Sequence, residues 1–273
     1  MRTIKGVCRL AGLVAFILFV FLFVLICFPF MNWKLRGRWI RFWAARLPRV
    51  LGMTVSVSGD VPRETSRLYG RAPGETGYLV VANHISFVDV FALDAVLPCQ
   101  FVAKSEIARW PVFGSICRHA GTLFIDRGSR RSIVEIVKLL SGSLKEGGNA
   151  LFFPEGTVAD GLALLPFHPN LFEAAVQTGA DVLPVAVHYT VDGRLSDVAS
   201  YAGHQSMWDV VKRIVFSEGV GVHVEVLAPI PAAGETRQSL SEKSSAAIAA
   251  AIGVPDATLE KKRELERRLA AGE

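Results

Sequence analysis

The stretch YLVVANHISFVD, residues 78–89, decides the fold class of this chain. Residues 78–82 form an apolar run that predicts a short strand. A helix is predicted from Ser86 to Leu97, because Pro98 then ends it. His84 lies in the loop between the two. A strand that passes through a short loop into a helix is the repeating unit of α/β proteins.

The same alternation continues on both sides of this stretch. Strands are predicted at 53–57, 100–103, 122–125, 150–153, 182–189 and 222–227, and helices at 132–145 and 169–178. Two of the strands, 150–153 and 182–189, are almost wholly apolar, which is typical of central strands, whereas 222–227 alternates like a strand nearer the edge. Ser132 and Glu135 predict a capping box. The sequence therefore predicts an α/β fold with a mixed central sheet covered by helices, and residues 191–220 as an insertion.

Three parts are predicted along the 273 residues. Residues 1–50 form a membrane anchor followed by a basic, aromatic interfacial helix. Residues 51–255 form the globular domain, and residues 256–273 form a charged C-terminal helix with a solvated face. The hydrophobic content of 51% favours a membrane segment, and a net charge of +5 suits an anionic partner.

The N-terminal apolar segment has the length of a membrane helix. No charged residue occurs from Leu10 to Met31, and a span needs about 20 predominantly apolar residues. A cleaved signal peptide is disfavoured, because the run is long and no A-x-A-like site follows it. More positive charge follows the run than precedes it, which predicts a cytoplasmic globular part. A full crossing and a re-entrant position in one leaflet both remain open.

Arginine and aromatic residues alternate directly after the apolar segment. A helix is expected from about Gly37 to Pro48, with Ile40, Trp43 and Leu47 on one face. This pattern predicts an interfacial helix whose arginines contact anionic phosphates. The alternative is a basic helix packed on the domain with its charges solvated.

His84 and Asp89 are the first candidates for chemistry. His84 lies where ligands bind in open α/β sheets, at the end of a strand. Positions five apart on one helix point about 140° away from each other, so the pair can meet only if His84 lies outside the helix. Asp89 would then fix the imidazole tautomer, and the other ring nitrogen would accept a proton from a hydroxyl. The alternative is that Asp89 only caps the helix and His84 is an inert loop residue.

Three further segments follow in order: GTLFIDR (121–127), FFPEGT (152–157) and VLPVAV (182–187). Together with NHISFVD (83–89) they resemble the four motifs of the glycerolipid acyltransferase family, which are N-H-x-x-x-x-D, G-x-x-F-I-x-R, F-P-E-G-T and x-P-V. The segment KSEIARWPVFG (104–114) also resembles the linker between the first two motifs. The resemblance covers residues 50–230.

The resemblance to these acyltransferases implies a role for each matching residue. His84 would be the general base and Asp89 would orient it. The acceptor hydroxyl would attack a thioester directly, and the absence of a G-x-S-x-G elbow agrees with this. The acceptor headgroup would be held by Arg127, Glu155, Gly156 and Thr157, joined by Lys104, while Pro184 would belong to the donor side.

The expected reaction is transfer of a fatty acyl group to 1-acylglycerol-3-phosphate (lysophosphatidate), giving phosphatidate in phospholipid biosynthesis. The donor would be acyl-CoA or acyl-carrier protein, with no bound cofactor and no metal. The four cysteines are scattered without a C-x-x-C pair, so neither a disulfide framework nor a zinc site is predicted. The expected location is a bacterial inner membrane, with the catalytic domain facing the cytoplasm.

One position departs from the family pattern. Many members have Arg directly after F-P-E-G-T, but here the residue is Val158. This puts the acceptor's identity in doubt, since bacterial members that acylate lyso-ornithine lipid also tend to lack that arginine. A lipid hydrolase and a catalytically inactive lipid-binding protein are further alternatives. Nucleic-acid binding is disfavoured, because the basic residues cluster beside the anchor and in the motifs.

Overall fold

The structure, a computed structural model, describes residues 2–62, 76–126, 130–203 and 205–260. Its strands are β1 (Thr54–Gly59), β2 (Leu79–Ala82), β3 (Gln100–Lys104), β4 (Leu123–Ile125), β5 (Ala150–Phe152), β6 (Val182–Val191), β7 (Arg194–Leu195) and β8 (Val220–Val226). Its helices are α1 (Arg2–Cys27), α2 (Trp33–Ala44), α3 (Leu47–Val50), α4 (Val88–Val96), α5 (Phe113–His119), α6 (Arg130–Lys145), α7 (Glu173–Thr178), α8 (Met207–Phe216) and α9 (Arg237–Ile252). Short 3-10 helices cover Phe28–Phe30, Ser105–Arg109 and Pro169–Phe172.

The described strands form one mixed sheet in the order β1-β8-β6-β2-β5-β3-β4. Neighbouring strands are parallel except that β8 runs antiparallel to β6, and β7 forms a hairpin with β6. The predicted α/β fold with a mixed sheet is confirmed, and β8 is next to the edge strand β1, as its alternating sequence indicated. The carboxyl ends of β2, β3, β4 and β5 lie along the same edge of the sheet, because these strands are parallel.

Helices cover the sheet on both faces. Alternate residues of β2 point to opposite sides, with Val80 in one apolar cluster and Leu79 in the other. Helices α4 and α8 pack on the first face, and helices α6, α7 and α9 on the second. Burial on both faces explains why the central strands are continuously apolar.

Several elements differ from the sequence prediction, and three of the differences concern how a helix begins. Helix α2 begins at Trp33, because the side chain of Asn32 accepts a hydrogen bond from Leu35 N at 2.9 Å and caps it. The predicted capping box at Ser132 is wrong, since α6 already begins at Arg130 and Arg is a good helix former. The supposed insertion contains β7, which pairs with the end of β6, and α8, which opens with a capping box of Ser206 and Asp209.

Helices α1 and α2 form an antiparallel hairpin. The ring of Trp43 lies edge-on to Phe16 and Phe23 of α1, with centroids 5.9 and 5.7 Å apart. The apolar face that was predicted to meet lipid therefore packs on protein, where Leu47 is also buried. Basic side chains such as Arg38 remain exposed. An interfacial position for α2 stays a prediction.

The first turns of α1 are attached to the globular domain. The Lys5 ammonium pairs with Glu218 at 3.0 Å, and Arg9 donates to the carbonyls of Val215 and Ser217 at 3.0 and 2.8 Å. Leu13 is buried in the core. By length and composition, one helix among the described residues could cross a membrane, Thr3–Phe30. The predicted C-terminal helix from 256 is described only to Glu260, where residues 257–260 are helical.

Candidate active site

Asn83 fixes the loop that carries the site. Its side-chain amide donates to Val187 O and its side-chain oxygen accepts from Val187 N, both at 2.8 Å. The β2–β6 ladder ends at the pair Ala82 and Val185, so this amide extends the ladder by one more step. The loop therefore leaves β2 in one defined direction.

Asp89 joins His84 to the start of α4. Its Oδ2 accepts from His84 Nδ1 at 2.9 Å and from the backbone amides of Ile85 and Ser86 at 2.7 and 2.8 Å. The carboxylate is fully buried. The two interpretations of Asp89 are thus both met, because it caps the first turn and holds the imidazole. A carboxylate only accepts, so the shared proton belongs on Nδ1, and Nε2 is the basic nitrogen.

Tyr189 completes the support of Asp89. Its hydroxyl, on β6, donates to Asp89 Oδ1. Burial, and then the charge of Asp89, raise the pKa of Tyr189 well above its usual range, so the phenol stays a donor. Sequence reasoning missed this residue, because nothing in the apolar pattern of β6 marks it.

Phe153 positions the imidazole ring. The rings of His84 and Phe153 stack with centroids 4.0 Å apart and planes 13° from parallel. The side chain of His84 is 18% exposed, in contrast to its buried partner. The ring is therefore held on one face and one edge, while a substrate hydroxyl could still reach it.

Glu155 lies beneath the His84 loop. It is 3% exposed, and its two oxygens accept from His84 N at 2.6 Å and from Leu165 N at 2.9 Å. Burial raises its pKa to about 7, although the two backbone hydrogen bonds oppose the shift. This geometry supports the backbone of His84. Contact with the acceptor headgroup stays a prediction for Glu155, and the orientation of its oxygens does not favour it.

A cavity of about 410 Å³ opens beside these residues, within the usual range for ligand pockets. It is lined by Ile125, Ile133, Phe152, Phe153, Pro154, Glu155, Gly156, Thr157, His168, Asn170 and Leu171. Gly156 and Thr157 line this cavity, and their contact with the acceptor headgroup stays a prediction.

The other two predicted headgroup residues belong to the neighbouring strands. Lys104 is exposed at the end of β3 and pairs in register with Ile125 of β4, a cavity residue. Lys104 itself does not line the cavity. Arg127 lies outside the described residues, two positions beyond the end of β4.

Comparison with known proteins places the chain in a family. Residues 55–188 match the family model described as Acyltransferase. The chain is 37% identical over 218 residues to a lyso-ornithine lipid O-acyltransferase of Pseudomonas aeruginosa, covering 80% of each protein. It is 39% identical over 207 residues to a 1-acyl-sn-glycerol-3-phosphate acyltransferase of Neisseria meningitidis, covering 74% of this chain and 79% of that protein.

A solved structure has the same fold. The crystal structure of the 1-acyl-sn-glycerophosphate acyltransferase of Thermotoga maritima aligns with a TM-score of 0.69, covering 93% of this chain and 97% of that one, at 21% identity. The molecule is thus an enzyme, an acyltransferase of lipid biosynthesis. It belongs to the glycerolipid acyltransferase family, as the four motifs indicated.

Proposed function

We propose that the enzyme transfers a fatty acyl group from a thioester, acyl-CoA or acyl-carrier protein, to the free hydroxyl of lysophosphatidate. His84 Nε2 accepts the hydroxyl proton, and the oxygen attacks the thioester carbonyl. The C–S bond then breaks, an ester bond remains, and the thiolate takes the proton from His84. The hydrogen bond of 2.9 Å between His84 Nδ1 and the buried Asp89 carries this proposal, because it orients the ring and leaves Nε2 as the nitrogen that can accept the proton.

The acceptor headgroup would bind at the carboxyl ends of β3, β4 and β5. Lys104 and Arg127 would supply positive charge there, and Gly156 and Thr157 would supply the wall of the cavity. A phosphate monoester carries about −1.5 to −2 charges near neutral pH, so more than one cation is expected.

Lyso-ornithine lipid is the second candidate acceptor. Val158 stands where many relatives have Arg, and the relative from Pseudomonas aeruginosa is named for this acceptor. The headgroup of lyso-ornithine lipid carries a carboxylate and an amine, so it requires less positive charge than a phosphate monoester.

We further propose that the α1–α2 hairpin enters one leaflet of a bacterial inner membrane from the cytoplasmic side and returns to that side. Arg9 attaches the start of α1 to the domain, and Arg41 donates to Ala95 O of α4 at 3.1 Å. With both arms held by the domain, exposed apolar residues such as Leu22 and Phe30 lie toward the tip.

The test is transfer from a labelled acyl donor to a panel of lysolipids, with the full chain in detergent micelles. Phosphatidate should form, and His84→Ala should abolish its formation while the protein stays folded. His119→Ala is the matched control, because the His119 ring makes a local bond within α5, to Ser115 O at 2.8 Å. Activity on lyso-ornithine lipid alone would select the second candidate. Turnover retained by His84→Ala would rule out the general base.

A further inference from the structure

The segment after the F-P-E-G-T motif folds back alongside it. Leu165 N donates to Glu155 Oε1 and His168 N donates to Pro154 O, each at 2.9 Å. On the opposite side of the segment, Phe167 N donates to the hydroxyl of Thr258 at 2.9 Å. These bonds hold His168 on the wall of the cavity that Gly156 and Thr157 also line.

The cavity is lined by both apolar and polar residues. Ile125, Ile133 and Leu171 are among the apolar residues, and Thr157, His168 and Asn170 bring polar side chains. The Glu155 carboxylate is turned away to two backbone amides. Among the described residues that line the cavity, His168 is the one with a basic side chain.

Val158 does not occupy this wall. The next residue, Ala159, donates its amide to His84 O at 2.7 Å and accepts from the Ser200 hydroxyl at 2.8 Å. This turns the chain at Val158 toward the His84 loop, and Val158 is absent from the cavity lining. A headgroup in the cavity must therefore find its donors elsewhere on the wall.

We propose that His168 binds the anionic headgroup of the acceptor lysolipid and helps to determine which headgroup is accepted. The inference rests on the proposed function, because it assumes a lysolipid acceptor in this cavity. An imidazole N–H donates to one oxygen of a phosphate or a carboxylate, with Thr157 and Asn170 as neighbouring donors. An arginine in place of His168 would instead make a bidentate, permanently charged contact, which favours phosphate.

The first experiment measures steady-state kinetics of wild type, His168→Ala and His168→Lys, varying acceptor and donor separately. His168→Ala should raise the KM for the acceptor by roughly 10–150-fold, the range for losing a hydrogen bond to a charged group. The donor KM and kcat should stay close to wild type. His168→Lys should restore lysophosphatidate binding more than lyso-ornithine lipid binding, because a permanent cation favours the phosphate monoester.

The matched control is His223→Ala. His223 lies on β8, separated from β5 by β6 and β2, and its ring bonds to the hydroxyls of Ser56 and Ser58 at 2.7 and 2.8 Å. Its loss should leave the acceptor KM unchanged. An equal rise for both histidine variants would mean a general loss of structure and would overturn the role of His168.

A second experiment measures binding without turnover. Binding of a fluorescent short-chain lysophosphatidate is measured for His84→Ala and for the double variant that also carries His168→Ala. Weaker binding by the double variant supports the inference. Unchanged binding overturns it, even if wild type transfers acyl groups normally. Failure of wild type to acylate any lysolipid would refute the proposed function, while this comparison would still decide about His168. If His168→Ala does not fold, Asn170→Ala and His168→Lys carry the same comparison.

Discussion

Hydrogen bonds from the backbone and from β6 converge on the buried carboxylates of the site. Asp89 accepts from His84, from two amides and from Tyr189. Glu155 accepts from the amide of His84 itself. The ring of His84 is therefore held by one acid and its backbone by the other, which predicts a positioning role for Glu155.

Glu155→Gln tests that role. Gln keeps one accepting oxygen but places an NH₂ group against the second amide, so His84 or Leu165 loses its partner. We expect kcat to fall by roughly 10–150-fold, corresponding to a lost charge-assisted bond, with little change in acceptor KM. Steady-state kinetics with the acceptor varied will check this. A rise confined to the acceptor KM would instead indicate direct headgroup contact.

Val158→Arg addresses the acceptor at the position that departs from the family pattern. Val158 lies off the cavity wall, so a contact depends on the greater reach of an arginine side chain. If that reach is sufficient and lysophosphatidate is the native acceptor, the added guanidinium should lower its apparent KM, by roughly 10-fold for a charge-assisted contact. If lyso-ornithine lipid is native, the change should help little, because the headgroup amine is repelled. Kinetics on both lysolipids, with wild type beside the variant, separate these outcomes. Val158→Gln serves as the uncharged control.

Among the elements, α4 carries an unusual buried acid near its end. Asp94 is 9% exposed, and its Oδ1 accepts from Cys99 N at 3.3 Å. Burial raises its pKa from 3.8 to about 8. The folded state thus holds this proton more tightly than the unfolded state does, so Asp94 lowers stability as pH rises from about 4 to about 8.

Asp94→Asn should remove the part of the pH dependence of stability that is due to Asp94. The midpoint of thermal unfolding should rise relative to wild type, by several degrees at pH 8 and by less at pH 5, with about 2–4 °C per kcal/mol for a chain of this size. Buried Glu155 also lowers stability as pH rises from about 4.5 to about 7. Because Glu155 is present in both proteins, its effect cancels in the difference between their unfolding midpoints. A constant offset at every pH would show that Asp94 is not protonated in the fold.

Local sequence signals predicted the helices and strands better than they predicted the contacts between them. His84 and Asp89 were found because strand, loop and helix are adjacent in the chain. Tyr189 was missed, since its partner Asp89 is 100 residues away. Helix α8 was missed although Ser206 and Asp209 have capping-box spacing. The burial of Glu155 depends on Leu165 and on the fold as a whole, which no local pattern reports.

At the scale of the whole molecule, the attachment of α1 to the domain bears on the proposed membrane topology. A helix that crossed the bilayer would expose its far end on the opposite side. The α1–α2 hairpin instead returns to the domain, and its connection at Asn32 would stay within the near leaflet.

Cysteine labelling at the connection between α1 and α2 tests this arrangement. Two variants are compared, Asn32→Cys and Asn32→Ser, both in a background of Cys8→Ser and Cys27→Ser. Spheroplasts, which lack the outer membrane but keep the inner membrane intact, are treated with a membrane-impermeant thiol reagent. We expect no labelling of the Cys variant from outside, and the Ser variant gives the background from Cys99 and Cys117. Labelling from outside comparable to that of a periplasmic standard would show a full crossing.

The hydrogen bonds of the His84 loop also have a consequence for biosynthesis. Asn83 and its partner Val187 are 104 residues apart in the chain. At typical rates of about 5–20 residues per second, roughly 5–20 s of translation separate the two. The apolar α1 emerges well before either, so the nascent chain can meet the membrane while its catalytic loop still lacks β6. The enzyme is therefore expected to become active only late in synthesis, after its attachment to the membrane.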